Sequence, residues 1–410
     1  MKQTTAKAAK VFADAKTWTR HMPQSILLSA FLLFFGFVAA AESPEEPESS
    51  PSFSGEITIG ATFPLSGFLE SYGQSAYYGA TTRVRMINAV GGVNGKKLNL
   101  EWRDNRSDPV QAVLDVRELA GKHKVPAVLG PLLSEAAMSV RPTARQLGVV
   151  IMSPLATADA TTRGNPWMFR ACYKNTDIAE GMALFQIRSY GAKTCGILYD
   201  PRYVFSRELA DIFEKIFEKH GGKVLGKQRI TNSEGRKAYQ TPLLLLASEK
   251  PDFIFAASYA LEATEIVRAA RDLGINTRFC GPDTWDNELV FDASGTPLIN
   301  TSIASSLFEQ AFSYRPFQDF FNAMEQAGMD NPDAQAACAY DAVTLLAKAL
   351  EEGETPEAIR DALHRFKRLP TATGRITITK DGDAIKPVLI RIVERQGGRL
   401  VPVYAERYDP

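Results

Sequence analysis

The sequence predicts an α/β protein made of two doubly wound, Rossmann-like lobes. From Glu56 onward, short apolar runs alternate with amphipathic stretches, which is the pattern of βαβ units around mostly parallel sheets. That pattern runs twice in tandem, first to Cys172 and then from Asp177 to Cys280. The chain has 410 residues, 45% of them hydrophobic, enough for two separate cores.

In the first series, Glu56–Phe63 reads as a strand and Ser75–Val90 as a helix stopped by Gly91-Gly92. Lys97–Asp104 is a strand. Asp108–His123 is a helix, with Asp108 placed to cap it and Pro109 at its first position. Ala127–Leu129, Val149–Met152 and Phe169–Cys172 read as strands, with Ser134–Leu147 a helix between the first two. The second series gives helices Asp177–Tyr190, Ser206–His220, Tyr239–Glu249 and Leu261–Leu273. Its strands are Thr194–Tyr199, Lys223–Ile230, Phe253–Ala257 and Arg278–Cys280. Helices follow at Phe317–Ala327, Ala334–Glu351 and Pro356–His364. The C-terminus reads as strands Arg375–Thr379, Pro387–Glu394 and Leu400–Tyr404, turning at Asp381-Gly382 and Gly397-Gly398.

The N-terminus reads as an export signal. Ser25–Val38 (SILLSAFLLFFGFV) carries no charge and runs into Ala39-Ala40-Ala41, a small-x-small cleavage pattern. This run is short for a bilayer span of roughly 20 residues. An uncleaved anchor is the alternative, and Met22 is an alternative start. Residues 42–55 are acidic and Pro/Ser-rich, the composition of a disordered linker. Residues 1–41 hold five of the 47 Lys/Arg and one of the 47 Asp/Glu, so the exported remainder carries 42 basic and 46 acidic groups. Nothing in that balance calls for nucleic acid. Cys172, Cys195, Cys280 and Cys338 have no metal-ligand spacing. Two disulfides are possible in an exported chain. Three of the four lie in apolar stretches, which suits buried thiols.

Catalytic groupings are missing from the sequence. His123, His220 and His364 sit at helix ends beside Lys or Arg, as solvated helix-end cations do. There is no G-x-S-x-G, S-x-x-K or H-E-x-x-H. Gly221–Lys227 spells G-x-x-x-x-G-K, but Gln228 follows where a phosphate loop needs Ser or Thr, and the run joins helix to strand. Neither an enzyme nor a cofactor site is expected.

In open α/β sheets, ligands bind beyond the carboxyl ends of the strands. Gly130–Val140 (GPLLSEAAMSV) is a strand end, a turn and a helix start. Ser134 there can offer its hydroxyl and free backbone N–H groups to a carboxylate. In the next loop, Ser153–Thr157 (SPLAT), Thr157 can donate to the same carboxylate and the Leu155 carbonyl can accept from an ammonium. In the second series Asp283 can pair with that ammonium. Tyr72, Tyr259 and Trp285 occupy equivalent loops and can wall the site.

Seven fragments then occur in order: IGATFPLSG (59–67), GGVNGKKL (91–98), DPVQAV (108–113), VLGPLLS (128–134), IMSPLAT (151–157), FCGPD (279–283) and AYDAV (339–343). On them the chain resembles the type I periplasmic binding proteins of the leucine/isoleucine/valine-binding class, the substrate-capture components of ABC importers. The likeness runs from about Glu56 to Val403. It implies Ser134 and Thr157 on the ligand carboxylate, with Leu155 and Asp283 at its ammonium. It places Tyr72 on the near wall, Tyr259 closing from the far lobe, Phe205 at a cleft aromatic and Gln335 near the ligand side chain. With Ala156 and Trp285, and leaving Gln335 aside, these make up the expected contact set. Asp283 stands where the family has Glu, and Leu155 where a small residue is common.

The resemblance implies three hinge crossings, near Cys172, Ser305 and Gly374. The first lobe would hold residues 56–172 and 306–375, the second 173–305 and 376–410. It further implies a monomer in the periplasm that takes up a small ligand, an amino acid first of all, and passes it to a membrane permease. The other reading of the same fold is a ligand-sensing module acting on a receptor or regulator.

Overall fold

The computed structural model describes residues 51–231, 235–287, 298, 301–307, 313–329, 331–396 and 399–410. The expected leader, most of the expected linker and the Gly397-Gly398 turn lie outside the described residues.

Five strands form the first sheet: β1 (Gly55–Phe63), β2 (Lys96–Asp104), β3 (Ala127–Leu129), β4 (Val150–Ser153) and β5 (Met168–Arg170). They run in the order β2-β1-β3-β4-β5, every pair parallel. The intervening helices are α1 (Glu70–Ala89), α2 (Pro109–Val116) and α3 (Ser134–Leu147). Asp108 caps α2 as its sequence predicts, its carboxylate accepting from Val110 N at 2.8 Å with Pro109 next in line. The expected single helix to His123 instead widens into a π turn over Arg117–Lys122. α1 begins five residues earlier than its apolar period suggests, because Tyr72, Gly73 and Ser75 bury a first turn.

The second sheet takes β6 (Thr194–Tyr199), β7 (Lys223–Arg229), β8 (Phe253–Ala257), β9 (Arg278–Gly281) and β10 (Ser302–Ser305), with α4 (Asn175–Tyr190) before the first strand and α5 (Val204–Lys219), α6 (Gln240–Ser248) and α7 (Ala260–Asp272) between the later ones. β10 has too little apolar pattern to be seen in the sequence. Three short strands, β11 (Leu369–Thr371), β12 (Gly374–Ile378) and β13 (Ala384–Ile385), form their own sheet. β14 (Val388–Gln396) pairs antiparallel with β10, and β15 (Arg399–Tyr408) with β14. The seven-stranded order is β15-β14-β10-β9-β8-β6-β7.

Helices α8 (Arg315–Gln326), α9 (Ala334–Leu350) and α10 (Pro356–Arg365) lie on the side of the first sheet. Ala342, Leu346 and Ile359 share a buried cluster with Ile59, Leu129 and Met152. Ile376, Ile378 and Ala384 belong to that same cluster, whereas Val388 and Ile390 pack with Ile197, Phe255 and Ile303. The chain therefore passes to the second sheet at Lys386–Pro387, beyond the Gly374 expected from sequence. The strand pattern starting at Arg375 reads as one of the later strands, but β12 turns back on β11 and fills the first core. β5 ends at Arg170 before α4 begins at Asn175, and β10 ends at Ser305.

All four cysteines are buried, unpaired thiols.

A candidate ligand-binding cleft

The first wall is set by Gly130, directly after β3. Its φ is +97°, and a Cβ there would lie 2.3 Å from the carbonyl oxygen of Thr62. Only glycine turns the chain so closely against β1. Pro131–Leu133 follow, and Ser134 opens α3 one position inside the helix, with Leu133 as its cap residue. Backbone N–H groups in a first helical turn have no partner within the helix. The Ser134 hydroxyl oxygen accepts from Ala158 N at 3.2 Å, so its own hydrogen points elsewhere.

The Ser153–Thr157 loop is bound to this turn. Ser153 Oγ donates to the Pro131 carbonyl at 2.6 Å and accepts from Ala156 N at 3.1 Å. Beneath it lies Arg170, a fully buried guanidinium that nothing in its sequence context singles out. It donates to the Ala156 carbonyl at 2.9 Å and to Thr162 Oγ1 at 3.2 Å, and its Nε lies 2.8 Å from Asp383 Oδ1. A buried charge is held this way only with several partners. The loop carrying Thr157 is thereby fixed from behind, and both backbone groups of Ala156 are occupied.

The opposite wall comes from the ends of β6, β8 and β9. After β9 the chain makes a single 3₁₀ turn, Asp283–Trp285. Asp283 is buried, and its Oδ1 has no hydrogen-bond partner among the described residues. Burial pushes its carboxyl up to about 7, against hydrogen bonds from the N–H groups of Thr284 and Asp283 itself. Tyr72 reaches this wall from α1. Its phenol donates to the Thr284 carbonyl at 2.7 Å and accepts from Ala260 N at 2.8 Å. Tyr259 packs edge-on against Tyr72, Phe68 and Tyr203 and tilts onto Phe205, with ring centroids 5.2–6.0 Å apart.

These walls meet around a narrow cavity of about 30 Å³, room for little more than a water molecule with the walls as close as they are here. Tyr72, Ser134, Leu155, Thr157, Phe205, Tyr259, Asp283 and Gln335 all line it, beside Pro64, Leu69, Leu132, Leu133 and Thr284. The structure does not bring the other two expected residues to the cavity. Ala156 is sealed behind its loop. Trp285 is fully buried under β9, its Nε1 donating to the Ser258 carbonyl at 3.1 Å. The indole lies over Gly281, where a Cβ would come within 2.2 Å of the ring. So the tryptophan supports the wall and does not enter the pocket. With its amide oriented to satisfy both groups, Gln335 donates to the Asp286 carbonyl (3.0 Å) and to Asp333 Oδ2 (2.9 Å).

Sequence reasoning missed Phe68 and Tyr203. Both follow strand ends, after β1 and β6, and pack against Tyr259, a contact that no sequence period foretells.

The sequence model of the family described as "periplasmic binding protein" matches residues 56–398. The chain is 30% identical to a Leu/Ile/Val-binding protein of Rhizobium johnstonii over 340 residues, covering 82% of this chain and 90% of that one. A solved branched-chain amino acid transporter substrate-binding protein of Streptococcus pneumoniae, in complex with isoleucine, superposes with a TM-score of 0.78 at 25% identity, over 85% of this chain and 99% of the other. A solute-binding protein of Rhodopseudomonas palustris holding 3,4-dihydroxybenzoic acid has the same fold, with a TM-score of 0.77 at 18% identity, over 86% and 97% of the two chains. The chain belongs to the periplasmic binding protein family.

Proposed function

We propose that the chain is the extracytoplasmic capture subunit of an ABC importer, and that it closes its cleft on one α-amino acid with an aliphatic side chain. One observation carries the reading. A buried carboxylate oxygen without a partner among the described residues, Asp283 Oδ1, belongs to a side chain lining the same cavity as Ser134 and Thr157. A zwitterion meets all three needs. Its ammonium pairs with Asp283, and its carboxylate takes the Ser134 and Thr157 hydroxyls and the free N–H groups of the α3 first turn. The aliphatic side chain then lies against Leu69, Leu132, Leu133 and Leu155. The branched-chain names of the Rhizobium and Streptococcus relatives support this choice.

In this reading the Asp283 carboxylate, one methylene shorter than glutamate, serves as the ammonium partner. The protein turns nothing over and acts as a monomer in the periplasm. Hinge motion about the passages near Cys172, Ser305 and Lys386–Pro387 opens and closes the cleft, and a membrane permease receives the closed form.

Thermal denaturation with a panel of amino acids, amides and small acids tests it. A ligand at 100 times its Kd adds about 2.7 kcal/mol of stability. Leucine, isoleucine or valine should raise the midpoint, and their methyl esters, which lack the carboxylate, should not. A panel in which only non-zwitterions stabilise the protein would overturn the reading.

A further inference from the structure

We infer that Glu135, outside the ligand pocket, is a positioning residue for cleft closure: it caps helix α5 from across the cleft. This rests on the capture reading above, because only a cleft that opens gives such a cap a role.

Glu135 stands in the first turn of α3, next to Ser134, on the first half of the molecule. Its Oε1 accepts from Phe205 N at 3.2 Å, and the neighbouring Val204 N–H also favours the charged form of the carboxylate. Val204 and Phe205 are the first two residues of α5, on the second half. That helix has no cap of its own. Its cap residue, Tyr203, offers no side-chain hydrogen bond, and its first turn contains no acidic residue. A helix start with free N–H groups and the positive end of the dipole is therefore served by a carboxylate from the other half. Farther along the same helix, Glu208 Oε2 accepts from Asp159 N of the first half at 2.8 Å.

Glu135 meets a cost in this position. Burial raises its carboxyl above the ordinary value, and Oε2 has no partner among the described residues. Such a carboxylate gains only while α5 lies against it. In the open cleft it would be in water, and α5 would lose its cap. The contact therefore stabilises the closed form alone, which is what shifts the balance between two states. Phe205 belongs to both devices, since its side chain lines the pocket while its N–H receives Glu135. Closing over a ligand and capping α5 are thus one movement.

The test needs no ligand, so its failure would leave the amino acid assignment standing. Small-angle scattering of the ligand-free full chain gives the closed-to-open ratio. Glu135→Ala should lower that ratio about fivefold, the worth of one helix cap, and Glu135→Gln, which keeps an acceptor oxygen, should fall between. Val204→Pro removes one receiving N–H at a position that tolerates proline, and it should match Glu135→Gln. Chemical unfolding of the variants reports whether they fold as the parent does. Scattering curves that superimpose for the parent, Glu135→Ala and Val204→Pro would overturn the inference.

Discussion

The phenol oxygen of Tyr72 and the backbone N–H of Ala260 are 2.8 Å apart, although 188 positions separate them in the chain. Ala260 is the first residue of α7, so a side chain of the first half closes a helix start of the second. The same hydroxyl donates to the Thr284 carbonyl. Tyr72→Phe keeps the ring and removes both bonds, leaving a buried donor and a buried acceptor unmet at about 1–3 kcal/mol. Dissociation of a bound amino acid should quicken about tenfold with association little changed, which stopped-flow fluorescence separates.

Asp283 gives the protein a pH signature. In the folded chain its proton is held to about pH 7, whereas the ordinary value is 3.8. Between those limits the folded state binds more protons than the unfolded state, so stability falls as pH rises from about 4 to about 7. Glu262, also raised to about 7 by burial, adds to the same slope. Urea unfolding between pH 4.5 and 7.5 should show the decline, and Asp283→Asn should flatten part of it.

On the proposed pairing with an ammonium, the same group should make uptake release a proton. Near pH 6 the empty site holds Asp283 largely neutral, and pairing with an ammonium requires its ionised form. Affinity for an amino acid should rise with pH up to about 7 and then level. Calorimetry in buffers of different ionisation enthalpy would count the protons released. In Asp283→Asn both the affinity and its pH dependence should drop.

Gly281→Ala should damage the far wall without touching the ligand. The new methyl would meet the Trp285 ring, whose indole N–H is fixed on Ser258. Overpacking of this kind costs about 2 kcal/mol, visible as a lower unfolding midpoint. Trp285→Phe at the same wall should relieve the clash in the double variant.

Much of this was legible in the sequence because strand and helix periods survive burial. The order of strands and helices through residues 56–281 reads correctly, down to the Asp108-Pro109 helix start, though not every helix end does. The pocket hydroxyls were legible as well, since Ser134 and Thr157 follow strand ends, where open α/β sheets place ligands. What failed depended on distant partners. Trp285 reads as a pocket wall until Gly281 is seen to leave room for its ring behind the strand. The strand at Arg375 reads as part of the later set until β11 is there to pair with it. Arg170 and Glu135 are ordinary charges in one dimension, and only the fold gives one a buried loop to hold and the other a foreign helix to cap.

The four buried thiols bear on how the molecule fails. Burial holds the Cys172 and Cys338 thiols in their unreactive, protonated form, and no cross-link ties either half. Outside the cytoplasm an unfolded copy would expose all four to an oxidant at once, and four cysteines can be joined in three ways. None of those pairings exists in the native protein, so each would block the way back. Unfolding should therefore be reversible in reductant and a one-way loss under oxidising conditions, making the lifetime of this protein a matter of its unfolding rate.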